Sequence, residues 1–393
     1  MSSFLIFLAL LPPFQPAPAT EVPPTILVGG ALIEHEQVDG YWETEITRRL
    51  PGQPLRFRNL GWSGDTVFGH SRAVFGSTND GYRKLVEQIQ KLNPGKTLFA
   101  YGMNESFDGP LGLEPFSKGY EKLLQDARLS GSSVLFLTPN RQETLPPPLP
   151  DASARNLQLA PYCQAIRQIA AKNNSHLIDL FEITAGLTSS ASAPARLTSN
   201  GIHFSNAGYY LTSAAIAESF NKETPWKLTL DYPTGKSQSQ GNTVAWNKAS
   251  PGAWKVTDTM LPRSRPPVGC PATPWQRSVQ IAGLLPGTFS LSIDGVEVAR
   301  GIHSAWAKGI PLAKSPDYDQ VDLLRKSIRE KNQQFFHRWR PQNETYLFGF
   351  RKHEQGQNAK EIPQFDPLVA SLEKEIQKLS KTVDRVYKIS EVR

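Results

Sequence analysis

The sequence has little cysteine, no long apolar run and no concentrated basic segment, and each of these absences excludes a class of protein. Only two cysteines, Cys163 and Cys270, occur among 393 residues, so a disulfide framework cannot define the fold. The two thiols either pair with each other or stay free. The cysteine and histidine spacings of zinc sites are also missing, and we expect neither a metal nor another cofactor.

The formal net charge is +7, but the lysines and arginines are spread along the whole chain. No basic run is interleaved with aromatic residues, as it would be in a segment that follows a phosphate backbone. The charge is therefore that of a mildly basic protein, and we expect no nucleic-acid partner.

The N-terminus has the pattern of a signal peptide, although no lysine or arginine precedes its apolar core. That core covers residues 4–11, and Ala17-Pro18-Ala19 supplies the small residues of a cleavage site. The core is far too short to span a bilayer, and no later stretch is apolar enough to do so. We therefore predict a signal peptide over residues 1–19, export of the mature chain and no transmembrane segment.

Between residues 25 and 222, short apolar runs alternate with helical patterns. The run Ile26-Leu27-Val28 ends at a pair of glycines, residues 41–50 have helical spacing, and the alternation continues to a last helix over residues 207–220. A β-α-β rhythm of this kind predicts an α/β domain with a mainly parallel sheet and helices on both faces.

After residue 222 the pattern changes twice. Residues 223–300 contain alternating runs, and Asp294-Gly295 between two of them predicts a hairpin, so we expect a small β-rich module there. Residues 301–393 have helical patterns. Within them, apolar residues from Val369 to Val386 follow 3-4 spacing and predict a helix over residues 367–387. Such a helix either docks on the body of the protein or pairs with a second copy of the chain.

The residues that could carry chemistry lie near the carboxyl ends of the predicted strands, where an open parallel sheet binds its ligands. Each segment alone could serve a turn, a cap or the core, whereas their order and placement together favour one composite site. The segments are Gly29-Gly30-Ala31, Ser63-Gly64-Asp65, Gly102-Met103-Asn104-Glu105 and Asn200-Gly201-Ile202-His203.

In these four segments the chain resembles the SGNH (GDSL-type) hydrolase family, and the resemblance covers residues 25–222. The glycine block of the family matches at Gly64, its asparagine block at Asn104 with Glu105 in place of the usual aspartate, and its histidine at His203. The resemblance implies a three-layer, flavodoxin-like α/β fold. It also implies ester hydrolysis, such as the deacetylation or deacylation of saccharides or lipids.

Two departures from the family pattern fall on the chemistry itself. Ala31 occupies the position of the nucleophilic serine, and Asn200 occupies the position of the triad aspartate. In serine-triad chemistry the hydroxyl attacks, the histidine takes its proton, and the carboxylate orients and stabilises the histidine. A methyl group cannot attack, and an amide supplies no charge to a protonated His203.

The oxyanion hole is affected less than the triad. Its donors, as the resemblance implies them, are the backbone N–H groups of Ala31 and Gly64 and the side-chain amide of Asn104, and all three persist. We therefore expect a weak or inactive hydrolase whose pocket still binds a small-molecule or glycan ester.

Other functions stay open at this stage. Hydrolysis by a water molecule, with His203 or Glu34 as general base, needs no serine. A non-catalytic protein that binds carbohydrate or envelope polymer would use the β-rich module, with Trp246, Trp254 and Trp275 as aromatic surfaces. A scaffold protein would pair through the stripe of the predicted C-terminal helix. An esterase assay, glycan binding and pull-down separate these alternatives.

Overall fold

A computed structural model describes residues 22–127, 131–189, 196–270 and 277–392 of the chain. The predicted signal peptide over residues 1–19 and Trp275 lie outside the described residues. The described chain forms an α/β domain, a module of two β-sheets, and a set of C-terminal helices followed by a final strand.

The α/β domain contains a five-stranded sheet in which every neighbouring pair is parallel. The strand order β2-β1-β3-β4-β5 is that of a flavodoxin-like doubly wound fold, so the prediction of a flavodoxin-like parallel sheet is confirmed. The strands are β1 (Thr25–Gly29), β2 (Phe57–Gly61), β3 (Lys96–Ala100), β4 (Ser133–Leu137) and β5 (His176–Ile178).

Both faces of this sheet are buried under helices, which is why its strands are nearly continuous apolar runs. In β1, for example, Ile26 and Val28 belong to one core and Leu27 to the other. Three helices cover the first face, namely α3 (Thr78–Leu92), α4 (Gly109–Asp126) and α5 (Ser153–Lys172). Four cover the second, namely α1 (Ala31–Asp39), α2 (Tyr41–Arg48), α6 (Leu180–Ser189) and α7 (Asn206–Glu218).

The β-rich module is a pair of sheets around a shared apolar core, with strand orders β13-β10-β6-β7 and β12-β11-β14-β9-β8. The predicted hairpin is present, with Asp294 and Gly295 at positive φ between β11 and β12. The strands are β6 (Lys227–Asp231), β7 (Ser237–Gln240), β8 (Asn242–Trp246), β9 (Ala253–Asp258), β10 (Ser278–Ala282), β11 (Thr288–Ile293), β12 (Val296–Ile302), β13 (Ile310–Pro311) and β14 (Arg385–Glu391).

This core includes two of the tryptophans that a carbohydrate-binding surface would need. Trp254 is fully buried, and the half-buried Trp246 packs against the same core and over Gly235. Neither residue forms the exposed aromatic surface that the binding hypothesis for this module requires.

The C-terminal part begins after β12 with the short helix α8 (His303–Lys308). Beyond β13 follow α9 (Pro316–Trp339), α10 (Glu344–Leu347), α11 (Lys352–Gln355) and α12 (Phe365–Leu379). The helix α9 packs against the α/β domain, and α12 packs on α9. The apolar stripe of α12 is used there, because Val369 joins the first core and Ile376 joins a small core shared with α9. The structure therefore shows the docked alternative for this helix.

The prediction of one helix over residues 367–387 is wrong in its last third. The helix ends at Leu379, where the side chain of Gln320 donates to the Leu379 carbonyl oxygen at 2.7 Å. The chain then returns to the β-rich module, where β14 pairs with β11 on one side and β9 on the other. The module is thus completed by residues far beyond 300, because alternate residues Tyr387 and Ile389 fill its core.

The described residues include both cysteines, and their helices can be compared with what a membrane span requires. Both cysteines are free: Cys163 is buried beside Leu159 and Phe181, and Cys270 is half-buried against the second core. Among the described residues, no helix combines the length and the apolar character that crossing a membrane requires.

Candidate active site

A cavity of about 240 Å³ opens at the carboxyl ends of β1 and β3, where the strand order of this sheet reverses. Three of the predicted site residues, Ala31, Asn104 and His203, line this cavity. Asn200 contacts His203 from outside it. Gly64 is not among the lining residues, although its neighbour Asp65 is.

Ala31 is the first residue of α1, directly after the sharp turn that follows β1. Glycine is required in this turn, because a Cβ on Gly29 would lie 2.4 Å from the carbonyl oxygen of Ala100 in β3. The N–H of a first helical residue has no partner within its own helix, and none is found for Ala31 among the described residues. The backbone of Ala31 therefore offers a free donor at the positive end of the α1 dipole.

Asn104 lies beside Gly30, the residue before Ala31, and is fixed by the loop after β2. Its side-chain amide donates to the Asp65 carbonyl oxygen at 2.7 Å, and a Cβ on Gly30 would lie 3.3 Å from the same nitrogen. The second hydrogen of this amide has no acceptor among the described residues, so it is available to a ligand. Gly64 has φ +79°, a backbone conformation that accounts for glycine there by itself, and its donor role stays a prediction.

Glu105 joins the two loops that form this side of the cavity. One carboxylate oxygen accepts from the Val67 N–H at 2.9 Å, and the other accepts from the Gly102 N–H at 2.8 Å. Burial raises the pKa of Glu105 to about 7, despite these hydrogen bonds, which lower it. The residue that replaces the usual aspartate of the family is thus a structural link between the segments that carry Asp65 and Asn104.

Asp65 is also held in place below the cavity. Its carboxylate forms a fully buried ion pair with Arg72 at 2.8 Å and accepts a hydrogen bond from the Tyr101 hydroxyl at 3.0 Å. Arg72 also donates to the Leu60 carbonyl oxygen at 2.7 Å. This buried network fixes the loop after β2, and the sequence patterns gave no sign of it.

The side chain of Asn200 determines which nitrogen of His203 carries the proton. Its oxygen Oδ1 accepts from the backbone N–H groups of His203 and Ile202 at 2.9 and 3.1 Å, so the amide nitrogen must be the atom that lies 3.2 Å from His203 Nδ1. An amide nitrogen can only donate. Nδ1 of the neutral ring therefore accepts, and the proton sits on Nε2. Burial, and to a smaller extent the neighbouring His35, lower the pKa of His203 and favour this neutral form.

His35 is a second histidine in the cavity; the sequence left open whether it faces the cleft or solvent, and it is not among the predicted site residues. It lies one helical turn after Ala31 on the same face of α1, and its ring centroid is 5.3 Å from that of His203 in an edge-to-face arrangement. Four-residue spacing from Ala31 was the available signal, because residues i and i+4 of a helix share a face.

Glu34, the alternative general base, is not brought into the cavity. Its carboxylate forms an ion pair with Arg340 at 2.9 Å and accepts a short hydrogen bond from the Ser63 N–H. It therefore ties α1 to the end of α9 and to the loop after β2.

The comparisons with known proteins agree with this fold. Residues 29–211 match the sequence model of a family described as GDSL-like lipase/acylhydrolase. No curated protein matches the chain.

Three solved structures match the chain at low sequence identity, and the first of them shows a similar fold. BT4096, described as a gut microbial diltiazem-metabolizing enzyme, has a TM-score of 0.71 at 15% identity, over 95% of this chain and 99% of its own. A catalytic mutant of an acetylxylan esterase from Geobacillus stearothermophilus has a TM-score of 0.40 at 16% identity, over 51% and 95%. A putative GDSL-like lipase from Parabacteroides merdae has a TM-score of 0.39 at 13% identity, over 52% and 99%. The first match extends beyond the α/β domain, so its shared fold includes the β-rich module.

Proposed function

Because residues 29–211 belong to the SGNH/GDSL hydrolase family, we propose that this esterase-like protein recognises an acylated ligand in the cavity at Ala31 and hydrolyses it weakly or not at all. The hydrogen bond from the Asn200 amide to His203 Nδ1 is the observation that carries this proposal. This hydrogen bond supports a role for the histidine other than that of the general base.

A general base at this place needs a lone pair on Nε2, facing the nucleophile. In a serine triad the carboxylate accepts from Nδ1–H, which leaves the Nε2 lone pair free; an amide in that position reverses the tautomer and costs about 10⁴-fold in turnover. Here Asn200 reverses the tautomer and Ala31 provides no hydroxyl. Attack and proton transfer are both impaired, while the Ala31 N–H and the Asn104 amide stay available to a carbonyl oxygen.

The lining of the cavity supports a short acyl group as the part of the ligand that is bound. Apolar side chains of Leu32, Met103, Phe107 and Ile202 form much of the wall. The volume is smaller than the range of roughly 300–1,000 Å³ that suits a drug-sized molecule. The saccharide or lipid portion of an ester would therefore remain outside, and the acyl group would enter.

The experiment that tests this proposal restores the triad one residue at a time. Turnover of a short-chain aryl ester is measured for the native chain, Ala31→Ser, Asn200→Asp and the double variant. We expect near-background turnover from the first three and a gain of about 10³-fold or more from the double variant, because nucleophile and base act as a unit.

The control is removal of His203 from the double variant, which should abolish the gain. Fast turnover by the native chain that is lost on His203→Ala or Glu34→Gln would contradict the proposal and support hydrolysis by a water molecule. Circular dichroism of each variant confirms that the α/β domain remains folded.

We also propose that the chain is exported, on the basis of the apolar core at residues 4–11 and the Ala17-Pro18-Ala19 segment. N-terminal sequencing of protein recovered from outside the cytoplasm should then begin at Thr20. Recovery of the chain in the cytoplasm with Met1 intact would contradict this proposal.

A further inference from the structure

The cavity offers more hydrogen-bond donors than an ester carbonyl can use. Three donors belong to residues that line it, namely the Ala31 N–H, the second hydrogen of the Asn104 amide and the Nε2–H of His203. The ring nitrogens of His35 also have no hydrogen-bond partner within the described ranges. An ester presents one strong acceptor, the carbonyl oxygen, so the Nε2–H group would stay unsatisfied.

We propose that this cavity is a receptor for the free carboxylate of a short acyl chain, with one oxygen at Ala31 and Asn104 and the other at His203 Nε2–H. The second oxygen takes the space that a serine hydroxyl would fill if residue 31 were serine. This inference rests on the proposed function, because it names the ligand class of the same cavity.

The electrostatics of the site favour an anion over a neutral ligand. A carboxylate has two oxygens with about four lone pairs, and so it matches the number of donors. The N-terminus of α1 favours negative charge at Ala31. The ring centroid of His35 lies 5.3 Å from that of His203 and disfavours protonation of His203, and an anion bound beside the His203 ring would offset that effect.

Two acidic residues also line the cavity, and their charges are already engaged. Asp65 is paired with Arg72 and accepts from Tyr101. Both oxygens of Glu105 accept backbone N–H groups, and the raised pKa of this residue leaves it partly uncharged near neutral pH. A bound carboxylate therefore does not have to break the contacts of either residue, and the electrostatic repulsion between it and these two side chains is weakened.

The test compares two ligands of nearly the same shape, butyrate and butyramide, on the full chain by calorimetry or NMR titration. We expect butyrate to bind about tenfold or more tightly than butyramide, because charge-assisted hydrogen bonds are stronger than neutral ones. His203→Ala should remove most of that preference.

The sharper variant is Asn200→Asp, measured at about pH 9, where a histidine is neutral. An aspartate accepts from Nδ1–H, so the Nε2 lone pair then faces the ligand and repels a carboxylate oxygen. We expect butyrate affinity to fall about tenfold or more, while butyramide, whose NH₂ can donate to Nε2, binds as well as before or more tightly. The matched control is Asn206→Asp, because Asn206 is exposed and forms no hydrogen bond to His203 among the described residues.

The outcomes separate this inference from the proposed function. Equal affinity for butyrate and butyramide in the native chain, or an unchanged preference in Asn200→Asp, would overturn the carboxylate assignment while leaving acyl recognition intact. Failure of both ligands to bind would contradict both. A carboxylate preference that Asn206→Asp alters as strongly as Asn200→Asp would show a general charge effect and would also overturn the assignment.

Discussion

The amide nitrogen of Asn200 lies 3.2 Å from Nδ1 of His203, and the oxygen of the same side chain is held by the His203 backbone N–H. These two contacts fix the orientation of the amide. Because the amide cannot turn to accept from Nδ1 without losing the backbone bond, the histidine keeps its proton on Nε2. In the proposed site, an amide in place of a triad carboxylate therefore reverses the polarity of the contact at His203 Nδ1 and also removes a charge.

The first prediction concerns the pKa of His203. Burial and His35 hold it below the ordinary value of 6.5. In Asn200→Asp a carboxylate replaces the amide next to Nδ1, which favours the protonated ring and should raise the pKa of His203. The ring C–H resonances followed through an NMR pH titration measure the shift, and Asn206→Asp is the control. A native histidine with its proton on Nδ1, seen in the ¹⁵N shifts of the ring, would contradict the tautomer assigned here.

Much of this site was predictable because it depends on local pattern. The strands of the parallel sheet are apolar runs that end at glycines, and the carboxyl ends of such strands meet at one edge. Ala31, Asn104 and His203 each follow or lie near such an end, so the alternation of strands and helices was sufficient to bring them together. The same alternation could not place Gly64 on the cavity wall, because that depends on how the loop after β2 turns.

What the sequence could not provide depends on partners far along the chain. Glu34 lies outside the cavity because its carboxylate forms an ion pair with Arg340, about 300 residues later in the chain. In the last third of the predicted helix, residues 380–384 form a connection and residues 385–387 begin β14, because β9 and β11 leave a place between them. Val383 and Val386 continue the 3-4 spacing of a helix, whereas Tyr387 and Ile389 have the alternate spacing of a strand. The sequence pattern therefore permits both structures here, and pairing with distant strands selects the strand.

The second prediction concerns the pH dependence of stability through Glu105. Its pKa is about 7 in the folded chain, against an ordinary value of 4.5, so between these values the folded state holds a proton that the unfolded state releases. The free energy of unfolding therefore falls as pH rises through that window, by up to about 3 kcal/mol from this residue. Urea unfolding at the two ends of the window should show a smaller fall for Glu105→Gln than for the native chain. The exposed Glu375→Gln is the control, and parallel curves for Glu105→Gln and the native chain would contradict the assignment.

The third prediction concerns Glu34 in the Ala31→Ser/Asn200→Asp background. Because its carboxylate is engaged by Arg340 and the Ser63 N–H outside the cavity, Glu34→Gln should change ester turnover by less than about threefold. Loss of this partly buried ion pair should lower the free energy of unfolding by about 1–2 kcal/mol. A general base contributes about 10²–10⁴-fold to the rate. A fall in turnover of that size would contradict the prediction and indicate that Glu34 acts as a general base.

The fourth prediction concerns the attachment of α9 to the α/β domain. Lys331 Nζ lies 2.8 and 2.9 Å from the two carboxylate oxygens of Glu43, and both side chains are buried. Lys331→Met leaves a buried carboxylate without its cation and should lower the free energy of unfolding by about 3–5 kcal/mol. Adding Glu43→Gln removes that charge, so the double variant should be more stable than Lys331→Met alone.

The control for this ion pair lies on the same helix. Lys326 is exposed, and its Nζ lies 3.8 Å from a carboxylate oxygen of Glu330, which makes this a weak ion pair. Lys326→Met should therefore change the free energy of unfolding by less than about 0.5 kcal/mol. Urea unfolding of the four chains, together with limited proteolysis between α9 and α12, measures whether the C-terminal helices detach. If Lys331→Met and Lys326→Met had the same small effect, the buried pair would not be what holds α9 in place. The packing of Phe335 into the first core of the α/β domain would then have to hold it.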